Sequence, residues 1–454
     1  MLIEFKVANY RSIRDEQTLS MIASNYSDEL PQNLISCDHV PGMKGIKLVK
    51  AVALYGANAS GKSNIVAALR FFAEFVRDSA TKLQPGAPTG AQPFKLDPAC
   101  LDKPSKFEIT AVINGIRTLY GIEMTRERVT SEYLVAYPKG RPQVWFERDW
   151  DEAKGKYTWS KSTTYFKHDA ALREKTRENA TFLSSVAQFN HELAISVTKW
   201  FLRPCDLMLT EDHQRLFATL RMLLANPKAR PYFEFAALRA DLGVGGIQIE
   251  DAGRELKIAT FARGIVGDRT AAAEFAEKIK RAFAAYDGQI DELPKDHVLK
   301  RIDRNLTIIN LLHLGKGGAL VALDFETEES SGTRRYLDLM AKLLVALTAK
   351  TFVVFDEIEA SLHPNLVRSL CENFLGASNS GSPSQIIFTT HNPLLLDQTL
   401  LRRDQIWFTE KDQEGATRLY PLTDFKPRRD ESLVKGYLAG RYGGIPFIPE
   451  GLKL

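Results

Sequence analysis

Apolar and polar side chains alternate along this chain with a period that shifts between strand-like and helix-like stretches. Ile3–Val7 alternates weakly and reads as a strand. Leu48–Tyr55 is an apolar, β-branched run that stops at Gly56, and helix-forming Asn64–Phe75 follows it. An unbroken apolar run bounded by turn residues suits a strand covered on both faces. Leu83–Pro98 is rich in Pro and Gly and predicts a surface loop. Phe107–Ile113 and Ile116–Met124 are joined by Asn114-Gly115, the dipeptide that favours a tight hairpin turn. Tyr133–Tyr137, Gln143–Glu147 and Lys156–Trp159 continue as short strands, which predicts an antiparallel meander. From about Glu178 the period becomes helical: Phe275, Ile279, Phe283 and Tyr286 line one face of Thr270–Tyr286, and Asp212–Leu224 reads similarly. Past Leu311 strands return at Ala319–Phe325, Thr351–Phe355 and Gln385–Thr389. Repeats, low-complexity tracts and long heptad runs are absent from the sequence. The chain is expected to begin an α/β core (1–185), leave it for a helical insertion (186–318), rejoin the core (319–425) and end in a packed tail (426–454).

With 454 residues the chain can bury a large core. Charged residues make up 26% and the net charge is +4, so composition alone does not point to nucleic acid. Cys37, Cys100, Cys205 and Cys371 are scattered, with no CxxC pair and no cysteine–histidine cluster, which predicts reduced thiols rather than disulfides or zinc. MLIEFKVANYRSIRD carries charges throughout, unlike a signal peptide. The best apolar stretch, Leu343–Phe355, is interrupted by Lys350 and falls short of the ~20 residues that span a bilayer. A cytoplasmic protein with no membrane segment is expected, which excludes transport through a channel of its own.

Four segments carry chemistry. Gly56-Ala57-Asn58-Ala59-Ser60-Gly61-Lys62-Ser63 is a full GxxxxGK[ST] loop between a strand and a helix. Glycines let main-chain N–H groups turn toward phosphates, and the helix N-terminus adds a favourable dipole. Lys62 then reaches the β and γ phosphates and the Ser63 hydroxyl ligates Mg²⁺. The plain alternative is a chance glycine-rich turn. In the second segment, the apolar strand Phe352–Phe355 ends in Asp356-Glu357, where Asp356 suits magnesium and Glu357 suits orienting and deprotonating water. Two solvated acids at a strand end are the alternative. The third, Ile386–Thr390, ends in His391, a donor toward a γ phosphate or a merely structural histidine. The fourth, Glu329-Ser330-Ser331-Gly332-Thr333, precedes the helical stretch Arg334–Leu347 and offers a hydroxyl and N–H groups to an anion, or an ordinary helix cap.

In this order, ALYGANASGKSN, ESSGTRRY, VVFDEIEASLHP and FTTHNPLLLD resemble ABC-type ATPases related to RecF and SMC heads. The wording is closest to the OLD, RloA, AriA and PtuA group of bacterial anti-phage ATPases, and GYLAGRYGGIP (436–446) is similar to the RloA-type ending. The likeness covers both ends well and the middle poorly. It implies an ABC-type P-loop NTPase fold, a mixed sheet core with an antiparallel β meander and an inserted helical lobe, using ATP and Mg²⁺. By the resemblance, Gly56, Asn58, Ala59, Ser60, Gly61, Lys62, Ser63 and Asn64 hold the nucleotide. Ser330 and Gly332 serve as the signature that completes the partner protomer's site. Glu359–His363 forms the loop that crosses the dimer seam, and His391 is the switch histidine. Gln188 is chosen as the glutamine that senses magnesium and water, with Gln92 as a weaker choice, and Arg11 with Ser12 is placed where the N-terminal strand meets nucleotide. Glu329 and Ser331 depart from the leucine and glycine usual in transporter signatures.

The implied assembly is a homodimer or higher homo-oligomer with trans-completed ATP sites that closes on ATP and opens on hydrolysis. Two biological settings remain open. One is an anti-phage sensor controlling a nuclease or toxin effector in trans, triggered by a phage protein or nucleic acid. The other is a RecF- or SMC-like DNA repair or clamping ATPase, with Arg402-Arg403 and Lys426, Arg428 and Arg429 as candidate basic positions. A self-contained nuclease ranks below both, because the stretch after His391 is short and shows no HNH-like set.

Overall fold

The computed structural model describes residues 1–25, 29–160, 166, 170–207, 219–220, 223–224, 230–239, 243–251, 269–285, 307–376, 379 and 381–446. The chain divides into two units, Met1–His213 with Lys342–Leu454, and Gln214–Ala341. In the first unit the chain runs β1 (Leu2–Ala8), β2 (Gln17–Ser20), β3 (Leu34–Ser36), β4 (Lys47–Val49), β5 (Ala51–Gly56) and α1 (Lys62–Asp78). The meander β6 (Ser105–Ile113), β7 (Ile116–Met124), β8 (Val129–Ala136), β9 (Gln143–Asp151) and β10 (Lys156–Trp159) follows, then α2 (Ala170–Lys175), α3 (Phe182–Ala187) and α4 (Glu192–Leu207). The second unit holds α5 (Arg230–Arg239), β11 (Val244–Asp251), α6 (Arg269–Ala285), β12 (Thr307–Leu314), β13 (Leu320–Asp324) and the start of α7 (Ser331–Ala349). The first unit is completed by β14 (Phe352–Phe355), α8 (Pro364–Leu375), β15 (Gln385–Thr389), β16 (Ile406–Lys411), β17 (Thr417–Pro421) and α9 (Leu433–Leu438).

The core sheet of the first unit has the order β14-β15-β5-β16-β17, parallel except for β17. Every residue of β5, β14 and β15 is buried. That burial is why these strands read as unbroken apolar runs. Because β15 lies between β14 and β5, the residues that follow these three strands emerge side by side at one edge of the sheet, where α/β proteins place ligands. The meander joins β1 and β2 in a second sheet, ordered β10-β9-β8-β7-β6-β1-β2. Its β6–β7 hairpin turns at Asn114 and Gly115, both with positive φ as the tight turn demands. Ile65, Leu69, Phe72 and Val76 of α1 share one core with Val52 and Leu54 of β5 and with Phe107 and Ile109 of β6. Phe72 stacks on both Phe107 and Tyr120 with ring centroids 5.8 and 5.9 Å apart.

A fully buried ion pair fixes the end of the meander to α3. The Arg148 guanidinium donates to Glu132 Oε2 at 2.8 Å, with neither side chain exposed. Glu132 also accepts the main-chain N–H groups of Phe182 (2.6 Å) and Leu183 (2.9 Å) and the Tyr120 hydroxyl (2.9 Å). A desolvated carboxylate is tolerable here because several donors surround it.

The structure departs from the sequence expectations in three places. The run Leu48–Tyr55 is two strands, not one: it breaks at Lys50, whose buried ammonium donates to the Asn379 carbonyl. The helix after the glycine loop begins earlier and ends later than Asn64–Phe75. The stretch expected to be helical also contains β11 and β12, which pair antiparallel with β13 in a three-stranded sheet. Gly245-Gly246 interrupts the alternation that would have announced β11. In α6, Ile279 is buried and Phe275 half-buried, whereas the side chain of Phe283, all of Tyr286 and most of Asp212–Leu224 lie outside the described residues. Cys37, Cys100 and Cys371 are buried free thiols. Among the described residues no helix is long and apolar enough to cross a membrane.

Candidate functional site

The glycine loop leaves β5 at Gly56 and enters α1 at Lys62. Two strands from the far end of the sequence press against it. A Cβ on Gly56, whose φ is 156°, would run into Thr409 and the Ser60 hydroxyl, and a Cβ on Gly61, φ 110°, would run into Thr417. Glycine is therefore required at both positions by space as well as by backbone angle. Ala59 adopts a left-handed φ of 62° despite its side chain. The Ser60 and Thr409 hydroxyls are 2.6 Å apart, and Thr417 Oγ1 donates to the Ser60 carbonyl at 3.1 Å. Ser12 joins the same girdle: its hydroxyl lies 2.8 Å from that of Thr417 and accepts from the Asn64 amide at 2.6 Å. Arg11 is exposed beside it, with φ 50°, its N–H bonded to the Gln92 carbonyl (2.7 Å) and its guanidinium 5.5 Å from the Tyr10 ring.

Lys62 is buried and donates to the Gly56 (2.8 Å) and Ala57 (3.0 Å) carbonyls. Burial lowers its pKa, opposed by the nearby carboxylates of Asp356, Glu357 and Glu359. The next side chain makes the contact that closes the site: Ser63 Oγ donates to Asp356 Oδ1 at 3.2 Å. The same carboxylate oxygen accepts from Thr389 Oγ1 at 2.6 Å, and Thr389 Oγ1 accepts the Glu357 N–H at 2.7 Å. Glu357 is exposed and held at a left-handed φ of 47°. Strain of this kind in a non-glycine residue is a mark of functional sites. The His391 N–H donates to Glu359 Oε1, so the segment after β15 is tied to the segment after β14. His363, at the end of that segment, caps α8 through Nδ1.

These residues suit a magnesium-bound triphosphate. The glycine cradle leaves no room for a Cβ, a helix of 17 residues starts at its end, and Ser63 and Asp356 present hard oxygen donors at one point. Gly56, Asn58, Ala59, Ser60, Gly61, Lys62, Ser63 and Asn64 thus lie in one place with Asp356, Glu357 and the His391 segment.

Other candidates sit differently. Gln188 is the exposed C-cap of α3, and among the described residues no hydrogen bond joins its side chain to the loop. Ser330 and Gly332 belong to the second unit. The Ser330 hydroxyl accepts the Thr333 N–H at 3.0 Å, which is the helix-cap role, while the residue itself is exposed. Glu329, where transporter signatures carry leucine, is buried and bonded to His313 Nε2 on β12 at 2.5 Å, so it stands inside the unit. Arg402 and Arg403 correct one expectation: both are buried and paired with Asp404 and Glu29, so they offer no basic surface. Lys426, Arg428 and Arg429 are exposed. Thr389, Thr409 and Thr417 went unrecognised as site residues, because a threonine inside a strand carries no spacing that marks it.

The family described as "AAA domain, putative AbiEii toxin, Type IV TA system" matches residues 51–397, from the start of β5 to just past the His391 segment. Among solved structures, an SMC head bound to the C-terminal winged-helix domain of ScpA aligns at 15% identity over 92% of this chain and 96% of that one, with a TM-score of 0.37. The Pyrococcus furiosus Smc head with an extended coiled coil, bound to the C-terminal domain of ScpA, aligns at 14% identity over 94% and 97%, with a TM-score of 0.33. No curated protein matches the sequence. With the family match spanning well over half of its residues, this chain belongs to that AAA-domain family.

Proposed function

We propose that this chain binds and hydrolyses ATP and acts as the switch subunit of a bacterial anti-phage system, controlling a nuclease or toxin effector in trans. The observation that carries the ATPase reading is the Ser63–Asp356 contact, made by residues from opposite halves of the chain and braced by Thr389. Lys62 would neutralise phosphate charge, Ser63 and Asp356 would hold magnesium, and magnesium would offset the charge of the phosphates. Glu357, exposed at the end of β14, would take the proton of the attacking water, and the His391 segment would stand beside the γ phosphate. Arg11, in contact with the loop's girdle through Ser12, would meet the nucleotide at its rim, and Gln188 remains the proposed sensor glutamine.

The dimeric part of the reading rests on Ser330 and Gly332. Ser330 is exposed at the start of α7, where its N–H groups and hydroxyl suit an anion held by a second copy. ATP would then stabilise the closed pair and hydrolysis release it, a population shift that an effector can read. The anti-phage setting is supported by the loop, VVFDEIEASLHP and GYLAGRYGGIP wording. A DNA-clamping role keeps Lys426, Arg428 and Arg429 as its exposed candidates, and predicts salt-sensitive duplex binding by the ATP-bound protein.

The test is Glu357→Gln. Loss of a general base should lower turnover at least ~100-fold while ATP stays bound. Light scattering on the ATP-bound variant should then find a dimer. Turnover equal to wild type removes Glu357 from the chemistry, and a monomer with bound ATP removes the trans site.

A further inference from the structure

The C-terminal segment that follows β17 packs behind the nucleotide loop, and the chemistry above gives it no task. Ser432 caps α9, and the chain then turns through Gly440, Gly443 and Gly444 with φ of 76°, 65° and 66°. These glycines are needed where they stand. A Cβ on Gly443 would lie 2.5 Å from the Tyr420 hydroxyl and 2.7 Å from Glu410 Oε2. A Cβ built on Gly444 would lie 3.5 Å from the Cα of Gly56 and 3.4 Å from the Phe408 ring, so this turn runs beside the first glycine of the loop.

Tyr437 joins the two. It is 6% exposed, packs edge-on against Tyr55 (5.6 Å) and stacks on Phe408 (5.8 Å). Tyr55 and Phe408 are themselves register partners in the core sheet, on the strands that flank the loop's base. The Tyr437 hydroxyl donates to the Gly444 carbonyl at 3.3 Å, which ties the helix to the turn beside Gly56. Tyr442 also stacks on Phe408, at 5.8 Å, but its hydroxyl is directed to Glu431, 2.5 Å away. The two tyrosines thus share a ring environment and differ in where the hydroxyl goes.

We propose that the hook formed by α9 and Gly440–Gly444 is a brace for the nucleotide loop, with Tyr437 and Gly444 as positioning residues that hold Gly56 in its phosphate-binding conformation. The proposal rests on the ATP reading of the loop. Glycine has more backbone freedom to lose than any other residue, so an unbraced Gly56 would have to be ordered at the moment of binding. Ordering it in advance raises affinity without adding a contact to the ligand.

The experiment titrates a fluorescent ATP analogue with Mg²⁺ into the full chain and into Tyr437→Phe and Tyr442→Phe, with thermal melting of each. Tyr437→Phe keeps the ring and loses the hydroxyl, and should weaken binding by about three- to tenfold, the range of one hydrogen bond. Tyr442→Phe should bind as the unaltered chain does. Unchanged binding by Tyr437→Phe overturns the brace, as does a parallel loss in both variants that follows their melting temperatures. If the unaltered chain binds no analogue, the ATP reading fails by itself. Hydrogen exchange at Gly56 then decides the brace: faster exchange in Tyr437→Phe than in Tyr442→Phe upholds it, and equal exchange overturns it.

Discussion

Replacing Thr389 with valine removes one hydroxyl and, with it, the two hydrogen bonds it makes to the acids after β14. Thr389 has no exposed surface, and valine fills nearly the same volume, so the change is chiefly one of hydrogen bonding. The lost donor to Asp356 is a bond to a charged group, worth about 1.5–3 kcal/mol. The lost acceptor leaves the Glu357 N–H without its partner at 2.7 Å. That bond helps keep Glu357 in a left-handed conformation that costs about 1–2 kcal/mol in a residue with a side chain. Without it the residue relaxes toward the ordinary basin and swings its carboxylate away from the position it now holds. If about 1.5–3 kcal/mol of alignment is lost from the reacting arrangement, turnover falls about 10- to 100-fold. Nucleotide affinity should fall less, because Lys62 and the loop are untouched. Phosphate release under saturating Mg·ATP measures the first quantity and analogue titration the second. Thr389→Ser keeps the hydroxyl and should restore most of the rate. Turnover of Thr389→Val within about twofold of the unaltered chain would refute the reasoning, since the barrier would then have moved by well under 1 kcal/mol.

Glu132→Ala leaves Arg148 charged, fully buried and without its carboxylate, and strips the acceptor from the N–H groups of Phe182 and Leu183. Urea unfolding should report a loss of about 3–5 kcal/mol, and a loss below about 1 kcal/mol would mean that the pair is hydrated in solution. Burial pushes the Cys371 thiol from its ordinary 9.0 up to about 12. Above pH 9 the unfolded chain gives up this proton while the folded chain keeps it, so the folded state binds more protons and stability falls as pH rises toward 12. Cys371→Ala should flatten the decline of unfolding free energy between pH 8.5 and 10, by at most about 1.4 kcal/mol per pH unit, and an identical slope would contradict the assignment.

What the sequence disclosed, and what it hid, divides along a physical line. The glycine loop and the Asp356-Glu357 pair were legible because their chemistry needs fixed residue types at fixed spacing beside a buried strand. The hairpin at Asn114-Gly115 was legible because its turn needs positive φ at both residues. Hidden were contacts set by tertiary packing. Thr409 and Thr417 close on the loop only because β16 and β17 extend the sheet beyond β5, which no local pattern reveals. Arg402 and Arg403 look like a basic surface in the sequence, yet Asp404 and Glu29 draw both inside. Lys50 splits a run that hydropathy joins, because a carbonyl at Asn379 accepts its ammonium. Glu329 reads as an odd signature residue until His313, on β12, supplies its partner.

The account's central claim is that Ser63 and Asp356 act together on one magnesium-bound nucleotide. A calorimetric double-mutant cycle tests it, titrating a non-hydrolysable ATP analogue into the unaltered chain, Ser63→Ala, Asp356→Asn and the double variant, with Mg²⁺ and again with chelator. The account predicts a coupling of about 0.5–3 kcal/mol between the two positions in Mg²⁺ that disappears in chelator. Additive effects in Mg²⁺ would contradict it.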